Sequence, residues 1–302
     1  MRRIMYLLMT LVLLFPTVVS AHIVNEQNLY DDLEYSKAKT EIVYLSGLGI
    51  IPYDHHGSTL FAPQDKLTRG DLAVWVGTFM GAADKEASHD DIMAAAVKKG
   101  LVSAVDGNAT YADVNQAYFK GKVALSNANQ ELTKEEFALF MAEHLSDSID
   151  GKTIYDQGGF IPGPNGKVEK VTVQEEKDGA GNSVKVYALT LAGNNYVLSA
   201  HPRILQASVD PAEWEGKNIQ ESWLISVDGK QQLQLIRFEK AGATMASKPA
   251  TGNEHAGHEH AAKAEGQADS ASDFPWAPIV TGAILVVIVG VFLFNRKKGV
   301  KK

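Results

Sequence analysis

Apolar residues recur every three or four positions between about residue 36 and residue 145, the period of amphipathic helices packed on a common core. Leu72, Trp75, Val76 and Phe79 share one helical face, and Phe137, Phe140, Met141 and Leu145 share another. Two further patterns end in glycine: Ala38, Ile42 and Leu45 lead to Gly49-Ile50-Ile51, and Met93, Ala96 and Val97 lead to Gly100-Leu101-Val102. Both glycines suit a left-handed C-cap, with the apolar pair after each folding back onto its helix.

The same stretch repeats internally. Leu67-Thr68-Arg69-Gly70-Asp71-Leu72-Ala73-Val74-Trp75 aligns without gaps on Leu132-Thr133-Lys134-Glu135-Glu136-Phe137-Ala138-Leu139-Phe140. Thr68 and Thr133 are predicted N-caps. Asp71 and Glu136, three positions later, can return the hydrogen bond or favour the positive end of the helix dipole. The second copy is longer, and Tyr118-Phe119-Lys120-Gly121-Lys122 reads as an insertion within it.

From Lys167 the period changes to two. Apolar runs at Val168 to Val173, Val184 to Leu191, Tyr196 to Leu198, Ile219 to Val227 and Leu233 to Phe238 predict five strands. Turn signals at Asp178-Gly179-Ala180-Gly181-Asn182, Gly193-Asn194-Asn195 and Asp228-Gly229 separate several of them. Short strands joined by tight turns predict a small antiparallel barrel or sandwich. Trp214 and Trp223 could stack on sugars, but packing roles are the commoner use of aromatics in small β domains. His201, before Pro202 and Arg203, is a thin candidate for chemistry.

The two ends have a different character. Arg2 and Arg3 precede an apolar run from Ile4 to Phe15, then Pro16 and the small-residue site Val19-Ser20-Ala21. This predicts a secretory signal peptide cleaved after Ala21. Phe274 to Phe294 carries no charge and, as a helix, would rise about 31 Å, enough to cross a bilayer. Arg296, Lys297, Lys298, Lys301 and Lys302 follow it, which predicts a cytoplasmic C-terminus and an extracytoplasmic body. Between Ala241 and Asp273 large apolar residues are almost absent, and the segment reads as a disordered stalk.

With no cysteine, the exported portion has neither disulfides nor thiol chemistry and must hold together by apolar burial. The formal net charge of −7, with part of the positive charge placed in the tail, leaves an acidic body and disfavours nucleic-acid binding. No nucleophile elbow, phosphate loop or acid–base constellation stands out, so the chain is not expected to be an enzyme.

The stretch from Ile42 to Ile51, followed by Phe61-Ala62-Pro63 and Leu67-Thr68-Arg69-Gly70-Asp71, resembles the bacterial S-layer homology (SLH) domain. The second copy lacks the Phe-x-Pro element, and Lys134 stands where the family places arginine; in the first copy Gly70-Asp71 replaces Ala-Glu. The resemblance implies non-covalent binding of anionic cell-wall polysaccharide, often pyruvylated, through copies arranged as a pseudo-trimer. Carried over, Arg69, Asp71 and Lys134 are the glycan-binding residues, with lysine offering a point charge in place of a bidentate fork.

The expected architecture is therefore multidomain α+β: helical SLH-like repeats, then a small antiparallel β domain, then a single transmembrane helix. Its parts are a signal peptide (1–21), SLH-like repeats (36–82 and 88–146), a small β domain (151–240) with an unknown protein partner, a His-containing linker (241–273), one span through the lipid bilayer (274–294) and a basic tail (295–302). A second function class comes from the histidines. His255, His258 and His260 on a flexible linker can wrap copper, zinc or nickel. Cleavage after Ala21 would expose His22 as a new N-terminus whose amine and imidazole together chelate copper. A third class, an accessory subunit of an envelope enzyme, has no motif behind it.

Overall fold

The computed structural model describes residues 19–20, 22–53, 59–84, 86–177 and 183–240. Its helices are α1 (Lys39–Gly47), α2 (Arg69–Phe79), α3 (His89–Lys98), α4 (Tyr111–Phe119), α5 (Lys134–His144) and the single turn α6 (Ile154–Gln157). From α2 onward each helix starts on a hydroxyl cap. Thr68, Ser88, Thr110, Thr133 and Thr153 accept the N–H three residues ahead, satisfying one of the amides that a helix start leaves without a partner. The acidic residue returns the bond in full capping boxes at Thr110, Thr133 and Thr153.

Gly49 and Gly100 both take φ of +70°, as the C-cap reading requires. Ile50 N–H then reaches Leu45 O at 3.0 Å and Leu101 N–H reaches Ala96 O at 3.0 Å, the bonds that tuck each apolar pair under its helix. The helices close on an aromatic centre in which Trp75 meets Phe137 at 5.1 Å and Phe137 meets Tyr118 at 6.0 Å between ring centroids. Gly77 lets α2 approach α3: a methyl there would lie 2.7 Å from Ile92 Cγ2.

The strands are β1 (Val19–Ser20), β2 (Ile161–Pro162), β3 (Gly166–Lys167), β4 (Lys170–Lys177), β5 (Ser183–Leu191), β6 (Asn194–Leu205), β7 (Asn218–Val227) and β8 (Lys230–Phe238). The turn expected at Asp228-Gly229 joins β7 to β8 with both residues at positive φ, whereas the turn expected at Gly193-Asn194-Asn195 lies at Ala192-Gly193, because Asn194 and Asn195 already open β6; the turn expected at 178–182 lies outside the described residues. The sheet order is β1-β5-β6-β8-β7-β2, with β4 on β5 and β3 on β7. Trp214, fully buried, anchors the sheet's own core with Phe238, Leu233 and Ile236, and its Nε1–H donates to Ser208 O at 2.7 Å.

This corrects the expected fold class. The sheet is mixed, because β6 lies parallel to β8 and β1 parallel to β5, so it is neither an antiparallel barrel nor an antiparallel sandwich. The described helices and strands lie within one compact unit, in which the sheet keeps its own core around Trp214 while Leu205 and Leu235 pack into the helical core. Among the described residues no helix is long and apolar enough to cross a membrane, and the span expected at 274–294 lies outside them.

The seam between the two regions depends on Gly47. A methyl at that position would sit 2.7 Å from Leu235 Cδ1 and about as close to the Arg203 stem, so only glycine lets α1 lie against β6 and β8. Arg203, 4% exposed, crosses the seam to donate from Nε to Ser46 Oγ, and its guanidinium lies 5.2 Å from the Tyr53 ring centre.

Candidate glycan-binding ring

Three helix starts are joined in a closed cycle. Leu67 N–H donates to Leu132 O (3.0 Å), Leu132 N–H to Ala109 O (3.3 Å), and Ala109 N–H to Leu67 O (2.8 Å). Two residues further on the cycle repeats: Arg69 N–H bonds Gly107 O, Tyr111 N–H bonds Gln130 O, and Lys134 N–H bonds Asp65 O, at 2.9, 3.1 and 3.0 Å. The first helical amides of α2, α4 and α5 are thus satisfied by the neighbouring chain segment, and the three N-termini are held in pseudo-threefold order.

The third member of this ring is absent from the two-copy reading. Ala109-Thr110-Tyr111-Ala112-Asp113-Val114 has the same apolar-Thr-x-x-acid-apolar form as the other two starts, and it opens the helix containing Tyr118 and Phe119. The signal was present in Thr110 and Asp113. What hid it was Tyr111, which stands where Arg69 and Lys134 stand.

Arg69 and Lys134 occupy equivalent positions on different corners and do not converge on one pocket. Arg69 donates from Nε to Asp113 Oδ2 at 3.1 Å and from Nη1 to Asp106 O at 3.2 Å, with about a third of its side chain exposed. Asp113 Oδ2 also takes the Thr110 N–H and hydroxyl, so Arg69 ties one helix start to the next. Lys134 Nζ donates to Phe61 O at 3.2 Å and lies 5.8 Å from the centre of that ring. Asp71 is half-buried at the start of α2, where its N–H caps on Thr68.

The corners differ in room. The groove lined by Arg69, Leu101, Ser103 and Asp113 holds only about 20 Å³. The corner below Tyr111 opens into a cleft of about 390 Å³ lined by Asn127, Glu136, Phe140, Glu143 and His144. Burial, assisted by the Glu136 charge, pushes the Tyr111 hydroxyl up, which keeps it a hydrogen-bond donor. Glu135 is buried at the third corner. Burial raises its pKa, but bonds from Gln64, Ser36 and the Lys37 amide outweigh that and hold it below the usual carboxylate range.

A second polar cleft, of about 250 Å³, opens at the seam among Glu41, Tyr44, Tyr155, Glu221 and Arg237. Tyr44 donates to Glu221 Oε1 at 2.6 Å and accepts from Trp223 Nε1–H at 2.8 Å, while Trp223 stacks on Tyr155 at 3.9 Å. Trp214 and Trp223 therefore pack, one in the sheet core and one at the seam.

The linker histidines His255, His258 and His260 lie outside the described residues. His22 is described, and its ring lies 6.3 Å from that of His201, edge to face. Among the described residues no group of three or more histidine or carboxylate side chains is placed to hold a metal ion. No known protein family, curated protein or solved structure matches the chain.

Proposed function

We propose that this chain is an exported, non-catalytic envelope protein whose helical ring binds cell-wall polysaccharide non-covalently. The supporting observation is the closed cycle of three capped helix starts, a number that agrees with the pseudo-trimer the SLH resemblance implies. A guanidinium has five N–H donors; Arg69 uses two, leaving three for a ketal carboxylate on the glycan. At the next corner, the acid-lined cleft under Tyr111 suits the hydroxyls and apolar face of a neutral sugar ring, with Tyr111 and Phe140 as the aromatic surface.

Binding of the purified protein to native wall sacculi tests this reading. Arg69→Ala removes a charge-assisted contact worth roughly 1.5–3 kcal/mol, or about tenfold or more in affinity. Arg69→Lys recovers only part of it, because an ammonium lacks the paired donors. Tyr111→Ala weakens binding separately. Full wall affinity in both alanine variants, or a loss that merely tracks a lowered melting temperature, sinks the proposal.

A further inference from the structure

The first described residues after the expected cleavage site run alongside β6. Val24 bridges Arg203 in parallel, with Val24 N–H on Pro202 O at 3.2 Å and Ile204 N–H on Val24 O at 2.8 Å. Stepping back two residues on each strand sets His22 opposite His201, and because strand side chains alternate, both project from the same face. The His22 nitrogen itself is fixed, donating to Ala200 O at 3.0 Å.

The ring separation suits two ligands of one ion. An imidazole nitrogen binds a first-row metal at roughly 2.0–2.1 Å, which puts each ring centre about 3 Å from the ion and opposed rings about 6 Å apart. The observed centroids are 6.3 Å apart at 86°. Both histidines are exposed, so an ion can enter from solvent. The His201 backbone is held from behind: its carbonyl accepts from Arg203 Nη1 at 3.0 Å and Gln234 Nε2 at 3.4 Å, and Arg203 is itself buried.

We propose that cleavage between Ala21 and His22 completes a copper(II) site of three nitrogens: the new α-amine and imidazole of His22 and the imidazole of His201. Cleavage turns an amide nitrogen, which is no donor, into an amine that closes a chelate ring with its own imidazole. A set of three nitrogens suits Cu(II), which accepts tetragonal nitrogen coordination and heads the divalent affinity order. The site is separate from the ring and independent of the linker histidines.

The test uses residues 22–302 released from a cleavable fusion, so that His22 carries a free amine, with His255, His258 and His260 changed to Ala to remove competing donors. Cu(II) titration followed by electron paramagnetic resonance should show one equivalent bound with axial symmetry and coupling to three nitrogens. His201→Ala and His22→Ala should each weaken binding by more than the roughly 10–100-fold typical of losing an outer-shell partner, with metal-free melting unchanged. Copper affinity within twofold of the parent in His201→Ala, or coupling to only two nitrogens in the parent, overturns the site. N-terminal sequencing of the exported protein should begin at His22; any other start removes the amine donor and overturns the proposal equally.

Discussion

The helical ring and the mixed sheet encode their neighbours in different ways. In the ring each start is written in six consecutive residues, and the three starts satisfy one another's amides in a cycle. In the sheet the local code stops at the turns. Asp228-Gly229 pairs β7 with β8, but what places β8 beside β6 is its insertion between β6 and β7, which makes the β6–β8 contact parallel across a long connection. A repeated local motif states both an element and its contact; an alternating strand states only its faces.

The largest test of that contrast asks whether the two regions nonetheless melt together. Phe137→Ala in the ring and Trp214→Ala in the sheet each remove a fully buried aromatic and should cost about 3–5 kcal/mol. Because Leu205 and Leu235 pack into the helical core, either variant should lower a single cooperative transition, followed by far-UV circular dichroism and by near-UV signals of both regions. If Trp214→Ala instead melts the sheet at low temperature while the helical signal keeps the parent midpoint, the seam does not couple them.

What was legible in the sequence follows the same division. Gly49, Gly100, Thr68 and Thr133 announced their roles because each acts within one helical turn. The α4 start is hidden in the sequence because Tyr111 breaks the basic pattern, although Thr110 and Asp113 form a complete capping box. In the sheet, the run read as Tyr196 to Leu198 is only the first part of β6. The strand continues through His201-Pro202-Arg203 across a register shift between Leu198 and Arg203, so Pro202, which has no N–H to donate, falls where the ladder is interrupted, and its carbonyl accepts from Val24. The nearness of His22 to His201, and of Arg69 to Asp113, depends on pairing between distant segments that no local period expresses.

The cap series measures whether the three starts are equivalent. Thr68→Ala, Thr110→Ala and Thr133→Ala each lose a side-chain acceptor and should each cost about 1 kcal/mol by chemical denaturation. Thr110 should exceed the other two, since its hydroxyl also donates to Asp113 Oδ2, the oxygen that receives Arg69. If Thr110→Ala falls well below the other two, α4 is an appendage and the ring has two working corners, as the sequence suggested.

The smallest expected effect lies at Gly70, where the first start departs from the Ala-Glu form of the resembling family. Gly70 lies in the first turn of α2 with no positive φ, so its conformational freedom serves no geometry that the folded chain needs. A methyl there would meet Met93 Sδ at 3.5 Å, Val105 O at 3.6 Å and Thr68 Oγ1 at 3.7 Å, all ordinary contacts. Gly70→Ala should therefore stabilise the protein by about 0.5 kcal/mol, chiefly by reducing the freedom of the unfolded chain. The contrast is Gly77→Ala in the same helix, where the added methyl would press on Ile92 and destabilise by about 1–3 kcal/mol. Opposite signs at two glycines of one helix would separate the corner of the ring, which has space, from the α2–α3 contact, which has none. A loss of stability at Gly70 would mean that the corner is as tightly packed as that contact, and that glycine is required where Arg69 enters the ring.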